Sequence, residues 1–134
     1  MKREFILNLN ELGELIKILP KEGVIILKGD LASGKTTLVK AIAKAHGVSS
    51  SVTSPTFSVM QGYENGIFHY DIYQNGFEGI VKNGLFENFF EEGLHLVEWG
   101  DDELERMLDK FDINYIKICI SVEGDKRRYE VFGA

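Results

Sequence analysis

The sequence of 134 residues is 44% hydrophobic and contains two prolines, which fits one compact core, and we expect a single domain over residues 1–134. Its formal net charge of −6 argues against a protein that grips nucleic acid unaided, because that grip requires lysine and arginine to neutralise phosphates. The lone cysteine excludes an internal disulfide, and no apolar run approaches the ~20 residues of a membrane span, so we expect a soluble cytoplasmic protein.

The first third of the chain alternates predicted strands and helices. Residues 4–9 read as a short strand, and an apolar stripe over residues 10–19 predicts a helix that Pro20 ends. The continuous apolar run over residues 24–27 is typical of a strand buried on both faces of an α/β sheet. A loop follows, after which apolar side chains recur at helical spacing up to His46, with Gly47 placed to end the helix.

Turn residues divide the rest of the chain. A strand-like stretch over residues 57–63 returns through the hairpin signal Asn65-Gly66 into residues 67–71. In the glycine-punctuated segment that follows, the best helical piece is residues 85–92. Its aromatics Phe86, Phe89 and Phe90 are predicted to pack in the core, with a partner surface as the alternative. Asp101 is placed to cap a helix through Leu108. Three further strands are predicted at residues 94–99, 115–122 and 127–132.

The segment Gly-Asp-Leu-Ala-Ser-Gly-Lys-Thr, from Gly29 to Thr36, matches the P-loop pattern G-x-x-x-x-G-K-[ST] at every fixed position. Its glycines let the backbone approach phosphates, so that N–H groups and the positive end of the next helix face the anion. Lys35 places a charge on the β- and γ-phosphates of ATP, and the Thr36 hydroxyl is a ligand for Mg²⁺. The residues predicted to bind the ATP/ADP cofactor are Asp30, Leu31, Ala32, Ser33, Gly34, Lys35, Thr36 and Thr37.

A P-loop between a buried strand and a helix predicts the fold class. We expect an α/β, P-loop NTPase-like three-layer fold, with a mixed, largely parallel central sheet flanked by helices. The alternative is an ordinary glycine-rich turn from strand to helix.

A Mg²⁺ site on this loop also needs a carboxylate at the end of a neighbouring buried strand. Glu98 ends an apolar strand in the pattern of a Walker B segment, with Glu in place of Asp, and Asp71 ends another strand in the same way. We predict Lys35, Glu98 and Asp71 as catalytic residues, with either Glu98 or Asp71 orienting water. His69 and His95 are predicted to be surface or hydrogen-bonded sheet residues rather than ligands.

Four blocks together resemble the TsaE (YjeE) family, small bacterial ATPases required for threonylcarbamoyladenosine (t6A) synthesis on tRNA. The blocks are residues 29–37, 52–57, 69–73 and 97–99. The resemblance extends over residues 5 to 122. An arginine commonly follows the aspartate block in this family, whereas this chain has Gln74, so we expect slow intrinsic turnover.

The resemblance implies roles for particular residues. Thr36 and Glu98 would bind Mg²⁺, Asp71 would lie near the attacking water or the metal, and Trp99 would couple the nucleotide state to a partner. A switch loop that senses the γ-phosphate would comprise Thr53, Ser54, Pro55 and Thr56. In this family the protein acts on a complex of TsaD and TsaB, where ATP hydrolysis resets the machinery, so tRNA would be contacted only indirectly.

Two other functions use the same loop. A nucleotide-gated binding module would need ATP for assembly and not its hydrolysis, whereas a small-molecule P-loop kinase would transfer phosphate to an acceptor. After the core is built, the chain leaves little length for an acceptor pocket or a lid. The leading prediction is a P-loop ATPase whose hydrolysis is weak or depends on a partner.

Overall fold

The computed structural model describes residues 2–30, 34–49, 59–73 and 76–133. Within these ranges seven strands form one sheet in the order β1-β7-β6-β2-β5-β4-β3. The strands are β1 Lys2–Leu7, β2 Gly23–Lys28, β3 Met60–Tyr63, β4 Ile67–Asp71, β5 Leu94–Glu98, β6 Tyr115–Glu123 and β7 Lys126–Phe132. Pairing is parallel through the centre, from β6 through β2 and β5 to β4. It is antiparallel at both sides, where β7 joins β6 and β1, and β3 joins β4.

Helices cover both faces of the sheet, which gives the predicted three-layer α/β arrangement. They are α1 Leu12–Ile16, α2 Lys35–Ala45, α3 Gly76–Lys82 and α4 Asp102–Lys110, with 3-10 helices at Leu9–Glu11, Glu64–Gly66 and Phe86–Phe90. One apolar cluster packs α1 and α2 against the sheet, and a second packs α3 and α4 against the opposite face. Among the helices that the structure describes, none combines the length and apolar character needed to cross a membrane.

Strand β2 is buried on both faces, as its continuous apolar run predicts. Ile25 and Leu27 belong to the cluster under α2, whereas Val24 and Ile26 belong to the cluster under α4, because successive strand side chains point to opposite faces. All four are at most 1% exposed. The loop that follows β2 therefore starts from a fixed point in the centre of the sheet.

Two helical predictions are wrong in their positions. The first helix is shorter than residues 10–19, since only Leu12–Ile16 are α-helical after a 3-10 turn. In the glycine-punctuated segment the α-helix is Gly76–Lys82, whereas the predicted piece at residues 85–92 forms the 3-10 helix Phe86–Phe90. Glycine has low helix propensity, so Gly76 and Gly79 concealed a helix that Phe77 and Ile80 stabilise by burial. Phe90 is 57% exposed, which corrects its prediction as a core residue.

The predicted hairpin and cap are confirmed. Asn65 adopts a left-handed φ of 62° between the antiparallel strands β3 and β4. Asp101 caps α4, where its Oδ1 accepts a hydrogen bond from the Leu104 N–H at 2.9 Å. Its Oδ2 accepts another from the Phe77 N–H at 3.0 Å, so this one carboxylate fixes the starts of both α3 and α4.

Candidate functional site

The candidate phosphate-binding loop joins the end of β2 at Lys28 to the start of α2 at Lys35. Gly34 is the N-cap residue of α2, with a φ of 107° that strains any residue with a side chain. The first turn of a helix presents backbone N–H groups and the positive end of the helix dipole, which favour an anion at the start of α2. Leu31, Ala32 and Ser33, three of the predicted nucleotide-binding residues, lie outside the described part of the chain.

Thr36 and Glu98, the two predicted Mg²⁺ ligands, are in direct contact. Strand β5 runs parallel to β2 with Leu27 opposite Glu98, which places the Glu98 carboxylate beside the first turn of α2. The Thr36 hydroxyl lies 2.9 Å from Oε1 and 3.0 Å from Oε2 of Glu98, and it donates to this carboxylate. Glu98 is only 3% exposed. The sheet therefore brings a hydroxyl and a buried carboxylate together at the loop.

Lys35 folds back onto the loop. Its ammonium donates to the carbonyl oxygen of Gly29 at 2.6 Å and to that of Asp30 at 2.9 Å, and it lies 3.8 Å from the centre of the Trp99 ring. Burial lowers the pKa of Lys35, although the negative charges of nearby carboxylates oppose that shift. The side chain is 4% exposed, so its charge is concentrated at the loop and shielded from water.

Asp71 lies beside Glu98 at the same end of the sheet, since the two residues are opposite one another across β4 and β5. Its Oδ1 accepts a hydrogen bond from the Tyr73 N–H at 3.0 Å. Burial raises the pKa of Asp71, and the negative charge of Glu98 adds to the increase, while the Tyr73 N–H and the positive charge of Lys35 oppose it. Two neighbouring carboxylates at a P-loop are suited to binding a cation and orienting water.

Trp99 follows Glu98 in a strained conformation. Its φ of 66° is left-handed, which is rare for a large side chain, and its N–H donates to the Leu27 carbonyl at 3.0 Å. The ring packs on Tyr73 at a centroid distance of 4.6 Å and faces Lys35 on the loop. Strain of this kind persists where the surroundings enforce it, often at functional sites. The predicted switch residues Thr53, Ser54, Pro55 and Thr56, and Gln74, lie outside the described residues.

The two strand histidines differ in their surroundings. His95 has a partner at each ring nitrogen, since Nδ1 lies 2.7 Å from the Tyr70 hydroxyl and Nε2 lies 2.9 Å from the Glu91 carbonyl oxygen. It is the hydrogen-bonded sheet residue that was predicted. His69 is completely buried, with Nε2 2.6 Å from Oε2 of Glu98, so the sequence prediction missed its contact with the site. The missed signal is its spacing: it precedes Asp71 by two residues and so shares that strand face.

The donor atoms at Thr36 and Glu98 fit a hard divalent cation. In the described ranges, no group of three or more His, Cys, Asp or Glu side chains is arranged to hold a metal. A Mg²⁺ ion at a P-loop needs fewer, because it takes one or two protein oxygens and otherwise binds phosphates and water. Thr36 and Glu98 offer that oxygen set.

Comparison with known proteins identifies similar sequences. Residues 7–129 match the family model described as threonylcarbamoyl adenosine biosynthesis protein TsaE. Two similar proteins are both named tRNA threonylcarbamoyladenosine biosynthesis protein TsaE. The one from Bacillus subtilis (strain 168) is 36% identical over 83% of this chain and 69% of its own length. The one from Treponema pallidum (strain Nichols) is 32% identical over 87% of this chain and 86% of its own length.

A solved structure is also similar. The crystal structure of YdiB from Bacillus subtilis matches 100% of this chain and 87% of that protein, with a TM-score of 0.71 and 25% sequence identity. The sequence comparisons therefore indicate the TsaE family, and the structural comparison supports the fold.

Proposed function

Because the chain belongs to the TsaE family, whose members act in tRNA threonylcarbamoyladenosine biosynthesis, we propose that it is the ATPase of that pathway. It binds ATP or ADP with Mg²⁺ and hydrolyses ATP on a complex of TsaD and TsaB type proteins. The contact between Thr36 and Glu98 supports this most directly, because it joins the P-loop hydroxyl to a buried carboxylate on the adjacent strand.

Each side chain has a task in the proposed reaction. Thr36 and Glu98 would hold Mg²⁺, which when bound neutralises charge that develops on the phosphates. Lys35 exchanges its loop carbonyl partners for phosphate oxygens, a stronger interaction because both groups are charged. Either Asp71 or Glu98 orients the attacking water. The positive end of α2 supplements these charges through backbone N–H groups.

A partner is part of the proposal for an electrostatic reason. With a net charge of −6, the chain has no excess of cations to neutralise tRNA phosphates, so tRNA binding falls to the partner proteins. Trp99 lies on Lys35 at the edge of the site and is suited to relay the nucleotide state to TsaD or TsaB. The segment from Thr53 to Thr56 is the second part of the chain that we propose to couple the nucleotide state to the partner.

Replacing Lys35 tests hydrolysis. Lys35→Ala removes the ammonium that neutralises the β- and γ-phosphates, so ATP turnover in the presence of TsaD and TsaB should disappear. Thermal unfolding of the variant is the control for folding. Turnover at the wild-type rate in a folded Lys35→Ala protein would be incompatible with the proposed ATPase.

A non-hydrolysable ATP analogue distinguishes the ATPase from a nucleotide-gated binding module. If hydrolysis resets the complex, the analogue allows assembly with TsaD and TsaB and blocks repeated rounds of tRNA modification. If the analogue sustains many rounds, ATP acts only as a gate for assembly. Release of inorganic phosphate without a phosphorylated small molecule separates both functions from that of a kinase.

A further inference from the structure

We propose that His69 is a positioning residue that holds the Glu98 carboxylate in its metal-binding orientation by donating a hydrogen bond from Nε2–H. This role depends on the Mg²⁺ site proposed above, because His69 contacts Glu98, one of its two proposed ligands. The contact is short, 2.6 Å from Nε2 to Oε2, and both side chains are almost completely removed from water, at 0% exposure for His69 and 3% for Glu98.

Glu98 needs such a partner because it is a buried carboxylate. An ionised carboxylate buried without hydrogen bonds loses the solvation that water would supply, and it gains a proton or changes its orientation instead. Thr36 supplies only one hydrogen, shared between the two carboxylate oxygens at 2.9 and 3.0 Å. His69 supplies the second hydrogen from the neighbouring strand β4. Thr36 and His69 together fix the Glu98 side chain between α2 and β4.

His69 occupies a position from which it cannot easily move. It lies opposite Leu96 of β5 and Gln61 of β3, inside the sheet, and its backbone is paired on both sides. Ile67 on the same strand and Leu96 belong to the apolar cluster under α1 and α2, so His69 is a polar residue at the border of that core. A hydrogen bond from a rigid strand restricts Glu98 more firmly than one from an exposed loop.

The ring nitrogens determine which tautomer serves this purpose. Nδ1 of His69 is buried and has no hydrogen-bond partner among the described residues. A proton on Nδ1 alone would leave a buried donor unpaired and would leave Nε2 with no hydrogen to donate to Glu98. With the proton on Nε2, the ring donates to the Glu98 carboxylate and Nδ1 has no hydrogen left to pair. His69 therefore acts as a donor behind the ligand, the usual place of an outer hydrogen-bond partner in a metal site.

Three substitutions at His69 test this role, because glutamine and asparagine differ in where they place an N–H group. His69→Gln presents an amide nitrogen near the position of Nε2, whereas His69→Asn presents one near Nδ1, and His69→Leu presents none. We expect His69→Leu and His69→Asn to weaken Mg²⁺ binding to the ATP-bound protein by ~10- to 100-fold. His69→Gln should restore most of that affinity. Binding of ATP in EDTA should be unchanged in all three variants, since Lys35 and the loop remain.

Calorimetric titration of ATP, with and without Mg²⁺, measures the affinity for ATP and the contribution of Mg²⁺ to it. His95→Leu is the matched control. His95 is equally buried in the neighbouring strand, but its partners are Tyr70 and the Glu91 carbonyl. Its loss should lower the unfolding temperature and leave the Mg²⁺ affinity of the ATP complex unchanged. A folded His69→Leu protein with normal Mg²⁺ affinity would overturn the role of His69 alone. If the wild-type protein binds ATP with the same affinity in the presence and absence of Mg²⁺, the proposed metal site is overturned as well.

Nitrogen-15 spectra of the histidine side chains in the wild-type protein give a second measurement that does not depend on a variant. We expect a protonated Nε2 and an unprotonated Nδ1 in the His69 ring. A proton on Nδ1 with none on Nε2 would contradict the donor role.

Discussion

The ammonium of Lys35 lies 3.8 Å from the centre of the Trp99 ring, although Lys35 is the first residue of α2 and Trp99 follows strand β5. A cation over an indole face is attracted to it, so the contact holds Lys35 at the loop. The proposed nucleotide competes for the same ammonium, because charged phosphate oxygens bind it more strongly than an aromatic ring does. Trp99 is therefore placed to sense whether the loop is occupied.

Nucleotide binding should change the fluorescence of Trp99, the one tryptophan in the sequence. When Lys35 turns toward the phosphates, one face of the indole loses its cation, and the emission should change with saturation as ATP is added. Lys35→Ala should remove the change and weaken ATP binding by about 1.5–3 kcal/mol, roughly 10- to 150-fold in Kd. An identical saturating signal in that variant would show that Trp99 does not respond through Lys35.

Glu98→Gln should separate stability from function. The amide keeps the shape of the side chain but lacks the negative charge, so Mg²⁺-dependent ATP turnover should fall at least about 100-fold. Removing a buried charge avoids its desolvation, so we expect the free energy of unfolding to fall by no more than about 1 kcal/mol. Urea unfolding and an ATPase assay on the same preparation check both values. A large loss of stability with normal turnover would show that Glu98 is a structural residue and not a metal ligand.

Glu105 connects α4 to the base of the loop and gives a pH-dependent prediction. Its carboxylate lies 2.7 Å from the ammonium of Lys28, at the end of β2, and 3.1 Å from that of Lys117 in β6. Burial alone would raise the pKa of Glu105, but the hydrogen bonds and charges of the two lysines outweigh it and hold the pKa below the ordinary value of 4.5. Glu105→Gln should lower the free energy of unfolding at neutral pH by roughly 1–3 kcal/mol.

The sign of this pKa shift determines how the loss varies with pH. A carboxyl group with a lowered pKa in the folded protein contributes stability that is present above its unfolded pKa and is lost as the pH falls through its folded pKa. The difference between wild type and Glu105→Gln should therefore be largest at neutral pH and shrink as the pH falls below 4.5. Urea unfolding across this range measures it. A difference that stays constant with pH would show that packing, and not charge, is the cause.

Gly100, just after Trp99, should not tolerate a side chain. A Cβ built on Gly100 would collide with the Cγ2 methyl of Ile26, which is fully buried in β2 and stiff because it is β-branched. Gly100→Ala should cost about 1–3 kcal/mol of unfolding free energy. Gly13→Ala is the matched control, since no residue that the structure describes lies within 4 Å of a Cβ there, and the helix α1 should gain about 0.5–1 kcal/mol. Equal effects at the two positions would contradict the close approach of the Gly100 backbone to Ile26.

The sequence predicts the parts of the site that depend on local patterns. The apolar run before Gly29 and the spacing to Lys35 and Thr36 place the loop between a buried strand and a helix, and the strand ending in Glu98 predicts its neighbour. Which strand lies beside which is a property of the whole sheet. The contact of Glu98 with Thr36 therefore needs the parallel pairing of β2 and β5 to become visible.

The same reason explains what the sequence does not reveal. The spacing of His69 from Asp71 places both on one face of a strand, but the contact of His69 with Glu98 follows only when β4 lies beside β5 with Asp71 opposite Glu98. The left-handed φ of Trp99 has no local signature, since such a conformation is normally left to glycine. Helix α3 was hidden because burial of Phe77 and Ile80 overrides the low helix propensity of its glycines.

The most direct test of the proposed ATPase is phosphate release by the purified protein with Mg²⁺ and ATP, measured alone and with TsaD and TsaB. We predict slow release by the protein alone and clear stimulation by the two partners, abolished in Glu98→Gln. A rate that TsaD and TsaB leave unchanged, or stimulation that survives in Glu98→Gln, would contradict a partner-dependent ATPase built on Thr36 and Glu98.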